Sequence, residues 1–135
     1  MTDREAQTNR AEQRKSRIVW FEIPASNFDR AVKFYQSILQ VTLKVGQEGT
    51  CQLAIFAYQP PAISGCVIAG KGYTPGMGVI VYLNADPDLQ AVLDRVAGAG
   101  GKVLVPKTAL PEAVGGYFAR ILDTEGNQVG LHAVS

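Results

Sequence analysis

The chain has 135 residues, of which 47% are apolar and 19% are charged. This is globular composition, long enough for one domain that folds without a disulfide or metal staple and too short for two. With 13 basic residues against 12 acidic ones and a net charge of +1, it lacks the basic excess of a nucleic-acid binder, and no apolar run reaches the roughly 18–20 residues of a membrane span.

Residues 1–17 hold five bases (Arg4, Arg10, Arg14, Lys15, Arg17) and three acids (Asp3, Glu5, Glu12). After Met1 they contain no Val, Ile, Leu or Phe. Such a segment cannot bury enough apolar surface to offset its ordering entropy, so a disordered or loosely helical tail is expected. A weak basic arm for anionic partners is its other reading. The tail also lacks the apolar stretch of a secretory signal, which makes a soluble cytoplasmic protein the expectation. Residues 18–135 are then one domain.

That domain begins with Ile18 to Ile23, a β-rich run stopped by Pro24. Ser26 or Asn27 can cap the following helix, whose apolar positions are Phe28, Ala31, Val32, Tyr35 and Leu39, widened by Phe34 and Ile38. Strands are expected over 41–45, 51–58 and 63–69, separated by glycines and Pro60-Pro61. The order then repeats. A strand over 78–83 precedes a helix started by Asp86 as cap and Pro87 at the first helical position. Leu89, Val92, Leu93 and Val96 form its apolar face, and Gly98 to Gly101 end it. Strands over 102–105, 117–122 and 128–134 follow. Asp123 to Asn127 is a hairpin turn, with Gly126 supplying a positive φ. Both halves read βαβββ, one over about 18–70 and the other over about 78–134. The fold class is α+β: two paired βαβββ modules forming a curved mixed sheet around a cup.

Three segments, taken in this order and at these separations, resemble the vicinal oxygen chelate superfamily of glyoxalase I, extradiol dioxygenases and bleomycin-resistance proteins. They are Phe21-Glu22-Ile23-Pro24 with Asp29 to Tyr35, Tyr82 to Asp86 with Gly100 to Val103, and Asp123 to Leu131. The resemblance covers about residues 18–134 and implies a cup-shaped site. It also implies a homodimer in which the partner chain often completes the cup. Metal-using members place four His, Gln or Glu ligands in that cup. The matching positions here are Trp20, one residue among Val79, Ile80 and Val81, a position between Ser64 and Ile68, and Gly130. Trp, Val and Gly side chains offer no donor to a first-row divalent ion, so no family-type metal and no other cofactor is expected.

Strand parity puts Glu22 on the same face as Trp20, toward the cup. Glu22 reads either as a general base of raised pKa or as a carboxylate that hydrogen-bonds a Tyr or Arg and holds the cup together. His132, the single histidine, shares parity with Gly130 and is an acid–base candidate or a partly exposed strand residue. Trp20, Tyr82, Tyr117 and Gly130 are the candidate ligand-binding positions, with Phe118 read as core. Arg120 and Lys107 read as solvated charges or as partners of an anionic ligand. Cys51 and Cys66 are too few for a disulfide framework and read as reduced thiols on adjacent strands. The glycine-rich stretch over 70–78 lacks the strand-to-helix context of a dinucleotide fingerprint and reads as a loop over the cup rim. Gly100-Gly101-Lys102 opens a strand and fails the phosphate-loop pattern. Three functions follow. One is a metal-independent binding protein for a small hydrophobic or aromatic ligand. The second is a metal-free lyase or isomerase using Glu22 as base. The third is a regulatory or interaction module whose cup is filled by its own side chains.

Overall fold

The structure, a computed structural model, describes residues 2–4, 18, 20–59, 62–76, 78–112 and 114–135. The expected tail over 1–17 falls almost entirely outside these residues. The element order is β1 (Trp20–Pro24), α1 (Phe28–Leu39), β2 (Leu43–Glu48), β3 (Cys51–Phe56), β4 (Ser64–Ala69), β5 (Tyr82–Asn84), α2 (Leu89–Val96), β6 (Lys102–Ala109), β7 (Tyr117–Leu122) and β8 (Gln128–Ala133). The βαβββ order is therefore present twice. Each module is a four-stranded mixed sheet, ordered β1-β4-β3-β2 and β5-β8-β7-β6, with the first strand parallel to the last.

α1 forms where the 3.6-residue period predicts. Asn27 is its cap, the side-chain oxygen accepting from the Arg30 amide at 3.1 Å. Phe28, Ala31, Val32, Phe34, Tyr35 and Ile38 are all buried. α2 starts later than Asp86-Pro87 suggests. Asp88 is its cap, while the Asp86 carboxylate accepts from the Val134 amide at 2.8 Å and is committed to the end of the chain. The first strand of the second module is also shorter than expected. Val79 is 95% exposed, and regular pairing begins at Tyr82.

The strands alternate cleanly. In β1, Ile23 joins the core and Phe21 packs against it, while Trp20 and Glu22 point to the other face. In β7 and β8, Ala119, Ile121, Val129, Leu131 and Ala133 face the core. Each fully buried aliphatic or aromatic side chain contributes about 1.5–3 kcal/mol. Both helices lie on the core side of their sheets and touch each other. The two four-stranded mixed sheets stand as paired βαβββ modules and are not closed on one another, each with one face turned away from the core.

The modules are clasped by the turn between β7 and β8. Gly126 there has φ 89°, as the turn requires. Glu125 Oε1 accepts from the Ser26 and Asn27 amides at 3.0 and 2.7 Å, and the carboxylate pairs with Arg30, the shortest contact being 2.7 Å. Asp123 Oδ2 accepts from the Tyr35 hydroxyl at 2.7 Å. Asn127 donates to the Pro24 carbonyl at 2.7 Å and accepts from the Gly76 amide at 3.0 Å. The Glu125 side chain is fully buried. Burial pushes its pKa up, but bonds from Arg30, Asn27, Thr124 and Ser26 outweigh that and bring it down from 4.5 to about 2.

A folded pKa below the unfolded one means that ionised Glu125 stabilises the fold fully above about pH 4.5. That stabilisation drains away as the pH falls toward about 2. Glu125→Gln is expected to lower stability at neutral pH and to flatten the acid limb across this window. Denaturant unfolding at a series of pH values checks this. An acid limb of unchanged steepness refutes the clasp.

Candidate functional site

The faces turned away from the core hold the candidate residues. On the first sheet the register pairs Trp20 with Ser64 and Glu22 with Cys66, and Cys66 lies opposite Ile55. On the second sheet Tyr82 pairs with Gly130 and Asn84 with His132, while Gly130 and His132 lie opposite Arg120 and Phe118. The modules correspond through one backbone bond that each makes. Ala25 donates to the Ile68 carbonyl at 2.8 Å, and Ala85 to the His132 carbonyl at 2.7 Å. Counting back from these bonds sets Glu22, Cys66 and Ile55 of the first sheet against Tyr82, Gly130 and Arg120 of the second. It also sets Trp20 against Ile80.

This correspondence tests the metal site that the resemblance implies. If Trp20 and Gly130 stand at ligand positions, their counterparts are Ile80 and Cys66. Only the Cys66 sulfur is a donor. Burial, then the charges of Glu22 and Glu48, push that thiol up to about 11, which disfavours the thiolate a metal needs. At the Gly130 position a Cβ would run into the Tyr82 ring. No group of three or more His, Cys, Asp or Glu suited to a metal occurs among the described residues. The residues at these positions do not fit a family-type metal ion.

The second sheet instead builds an aromatic surface. The Tyr82 ring lies directly over Gly130, where only glycine leaves room for it. Its hydroxyl accepts from Arg120 Nε at 3.0 Å. Tyr82 and Phe118 meet edge to face with centroids 6.4 Å apart, and the Arg120 guanidinium lies 5.6 Å from the Phe118 ring centre. Phe118 was expected in the core. It faces away from it because its register partner His132 does, which puts it among the site residues that sequence reasoning missed. Tyr117 goes the other way. It pairs with core residue Ala133, packs against the core edge, and has Lys107 Nζ 4.5 Å above its ring. It is not brought together with Tyr82 and Gly130.

Trp20 stands on the open face of the first sheet, 39% exposed, in an edge contact with Tyr58 at 6.5 Å. Glu22 is exposed, and among the described residues no hydrogen bond ties it to a Tyr or Arg. The desolvation expected for it is absent because the second sheet does not cover this face. The charge of Glu22 is the main cause of a raised pKa at the Tyr73 phenol of the glycine-rich loop, followed by burial and by Cys51, Glu48 and Cys66. Cys51 and Cys66 are free. Four rungs of β4 separate Cys66 from the level of Cys51, roughly 13 Å, too far for a disulfide.

His132 Nε2 lies 3.1 Å from the Gly115 carbonyl. A carbonyl only accepts, so Nε2 is the donor in this contact. His132 and Glu22 belong to different sheets, with no hydrogen bond between them among the described residues. A further groove of about 590 Å³ runs along α1, beside Asp29, Lys33, Ser37 and Ala99. It lies on the helix side, away from both open faces.

Gly130→Ala is expected to unseat the Tyr82 ring and cost about 1–3 kcal/mol of stability by overpacking. Tyr82→Ala in the same chain should recover part of the loss, since the ring is then gone. Urea unfolding of the three variants checks the pair, and a neutral Gly130→Ala contradicts the stacked geometry.

Comparison with known proteins agrees with this architecture. The family model of the Glyoxalase/Bleomycin resistance protein/Dioxygenase superfamily matches residues 17–131. No curated protein sequence matches. Among solved structures, the antibiotic binding protein TnmS3 from Streptomyces sp. CB03234 is 25% identical, with 89% of this chain and 97% of that one covered and a TM-score of 0.63. A glyoxylase/bleomycin resistance protein/dioxygenase domain from Frankia sp. EAN1pec is 19% identical, with 87% and 97% covered and a TM-score of 0.65. Glyoxalase I from Zea mays is 19% identical with a TM-score of 0.60. The match covers 86% of this chain but only 45% of that enzyme, so the chain spans less than half its length. With two βαβββ modules and a family match over almost all of residues 18–135, this chain belongs to the glyoxalase/bleomycin resistance protein/dioxygenase superfamily.

Proposed function

We propose that this protein binds a small hydrophobic or aromatic molecule on its open sheet faces without a metal ion. The observation that carries this reading is the Tyr82 ring seated on Gly130. An aromatic surface occupies a position where metal-using relatives are expected to place a donor. Trp20, Tyr58, Tyr82 and Leu104 are each at least 39% exposed, more apolar area than an isolated surface residue accounts for. The fold likeness to an antibiotic binding protein fits a ligand-holding role. A homodimer, with the partner covering the open faces, supplies the enclosure that one chain lacks. Two free cysteines fit the reducing conditions of the cytoplasm. No helix among the described residues is long and apolar enough to cross a membrane.

The second reading is a metal-free lyase or isomerase with Glu22 as general base. The observation favouring it is that Glu22 faces out on the first sheet and makes no hydrogen bond to a Tyr or Arg among the described residues, which leaves its carboxylate free of a competing partner.

A thermal-shift panel of aromatic metabolites and divalent metals, run with and without chelator, tests the leading reading. Ligands that bind the folded state raise the melting temperature by mass action, about 2.7 kcal/mol of stabilisation at a hundredfold excess over Kd. A rise with aromatic compounds and none that a chelator abolishes is expected. A metal-specific rise overturns metal independence. For any compound that binds, Glu22→Gln is expected to keep binding, and product formation lost in that variant would establish the second reading.

A further inference from the structure

The second sheet holds a cation, Arg120, with no ion pair among the described residues. Strands β5 to β8 read YLN, KVLVPKTA, YFARIL and QVGLHA, without one Asp or Glu, and they include Lys102, Lys107, Arg120 and His132. The open face of the first sheet, in contrast, bears Glu22 and Glu48 together with Lys44. Arg120 is half-buried, with its guanidinium 5.6 Å from the Phe118 ring centre and its Nε on the Tyr82 hydroxyl. Its Nε is satisfied by the Tyr82 hydroxyl, which is neutral and leaves the charge uncompensated. No Asp or Glu pairs with Arg120 among the described residues. Withdrawing a cation from water without a counter-charge is costly. With Nε engaged, the two terminal nitrogens present a fork that matches a carboxylate. The Phe118 and Tyr82 rings lie beside that fork and offer flat apolar area to the body of the same molecule.

We propose that the open face of the second sheet selects aromatic carboxylates, with Arg120 pairing with the carboxylate and Tyr82 and Phe118 contacting the ring. This rests on the reading of the open faces as a ligand site and names the ligand class. Tyr82 acts as a positioning residue as well, since its hydroxyl fixes the guanidinium plane.

The test is calorimetric titration of the full chain with 1-naphthoate and with the neutral 1-naphthamide. One charge-assisted pairing predicts a preference for naphthoate of roughly tenfold or more at low salt, falling as ionic strength rises. Arg120→Gln is expected to erase the preference, so that the two compounds bind alike, and Arg120→Lys to retain part of it. Should Arg120→Gln fail to fold, the Lys variant and the salt dependence of the natural chain still decide. Equal binding of the two compounds overturns the carboxylate site and leaves the binding function standing. A preference that survives Arg120→Gln overturns the role of Arg120. Binding of neither compound overturns the carboxylate site, and if the aromatic panel also fails to stabilise the protein the binding function falls with it.

Discussion

The geometry of this protein depends on a buried carboxylate clasp. Asp123, Glu125 and Asn127 sit on a turn of the second module, yet their partners Ser26, Asn27, Arg30, Tyr35 and Pro24 all belong to the first. A buried carboxylate left without donors is costly, so the two modules are held at the one spacing that satisfies it. That spacing puts α1 against α2. Both sheets then bury their helix sides, and their other faces are left without a covering layer from the helices.

The two open faces have diverged although their backbones correspond. Where the first module has Glu22, Cys66 and Ile55, the second has Tyr82, Gly130 and Arg120. The exchange is concerted. The tyrosine ring needs the missing side chain at Gly130 in order to lie flat, and its hydroxyl then reaches Arg120. Altering Gly130 alone would displace the ring and with it the acceptor that orients the guanidinium. The first sheet keeps a carboxylate and a thiol close together, and Glu22 contributes to raising the Cys66 pKa. One face thus mixes Glu22, Glu48 and Lys44 around a poorly ionising thiol, and the other sets Arg120 among aromatic rings.

Much of this was legible in the sequence because it rests on periodicity. The helix faces, the capping by Asn27, the turn with Gly126 and the repeated element order all follow from local patterns. Parity also put Trp20 and Glu22 on one face correctly. What local pattern did not convey was anything set by contacts between distant elements. Asp86 looks like a helix cap until Val134 claims its carboxylate. Tyr117 and Phe118 are adjacent, so parity must send them to opposite faces, and only the register with β8 says which goes where. Arg120 resembles a solvated charge until pairing sets it beside Tyr82. The absence of acids from the four strands of the second module was a signal in plain view, and it was the one that could have singled Arg120 out.

The same physics weighs binding against catalysis. A general base at Glu22 benefits from desolvation, which raises its proton affinity toward the working pH. Within one chain Glu22 is exposed and its face lacks a covering layer. Arg120 needs no such enclosure, because a guanidinium stays charged in either setting, and flat aromatic neighbours already exclude part of its water. The proposed binding role draws on contacts that one chain already contains and to which a partner chain would add enclosure, whereas proton abstraction at Glu22 depends on that cover altogether. The second sheet is accordingly where the chemistry of this protein is most nearly complete.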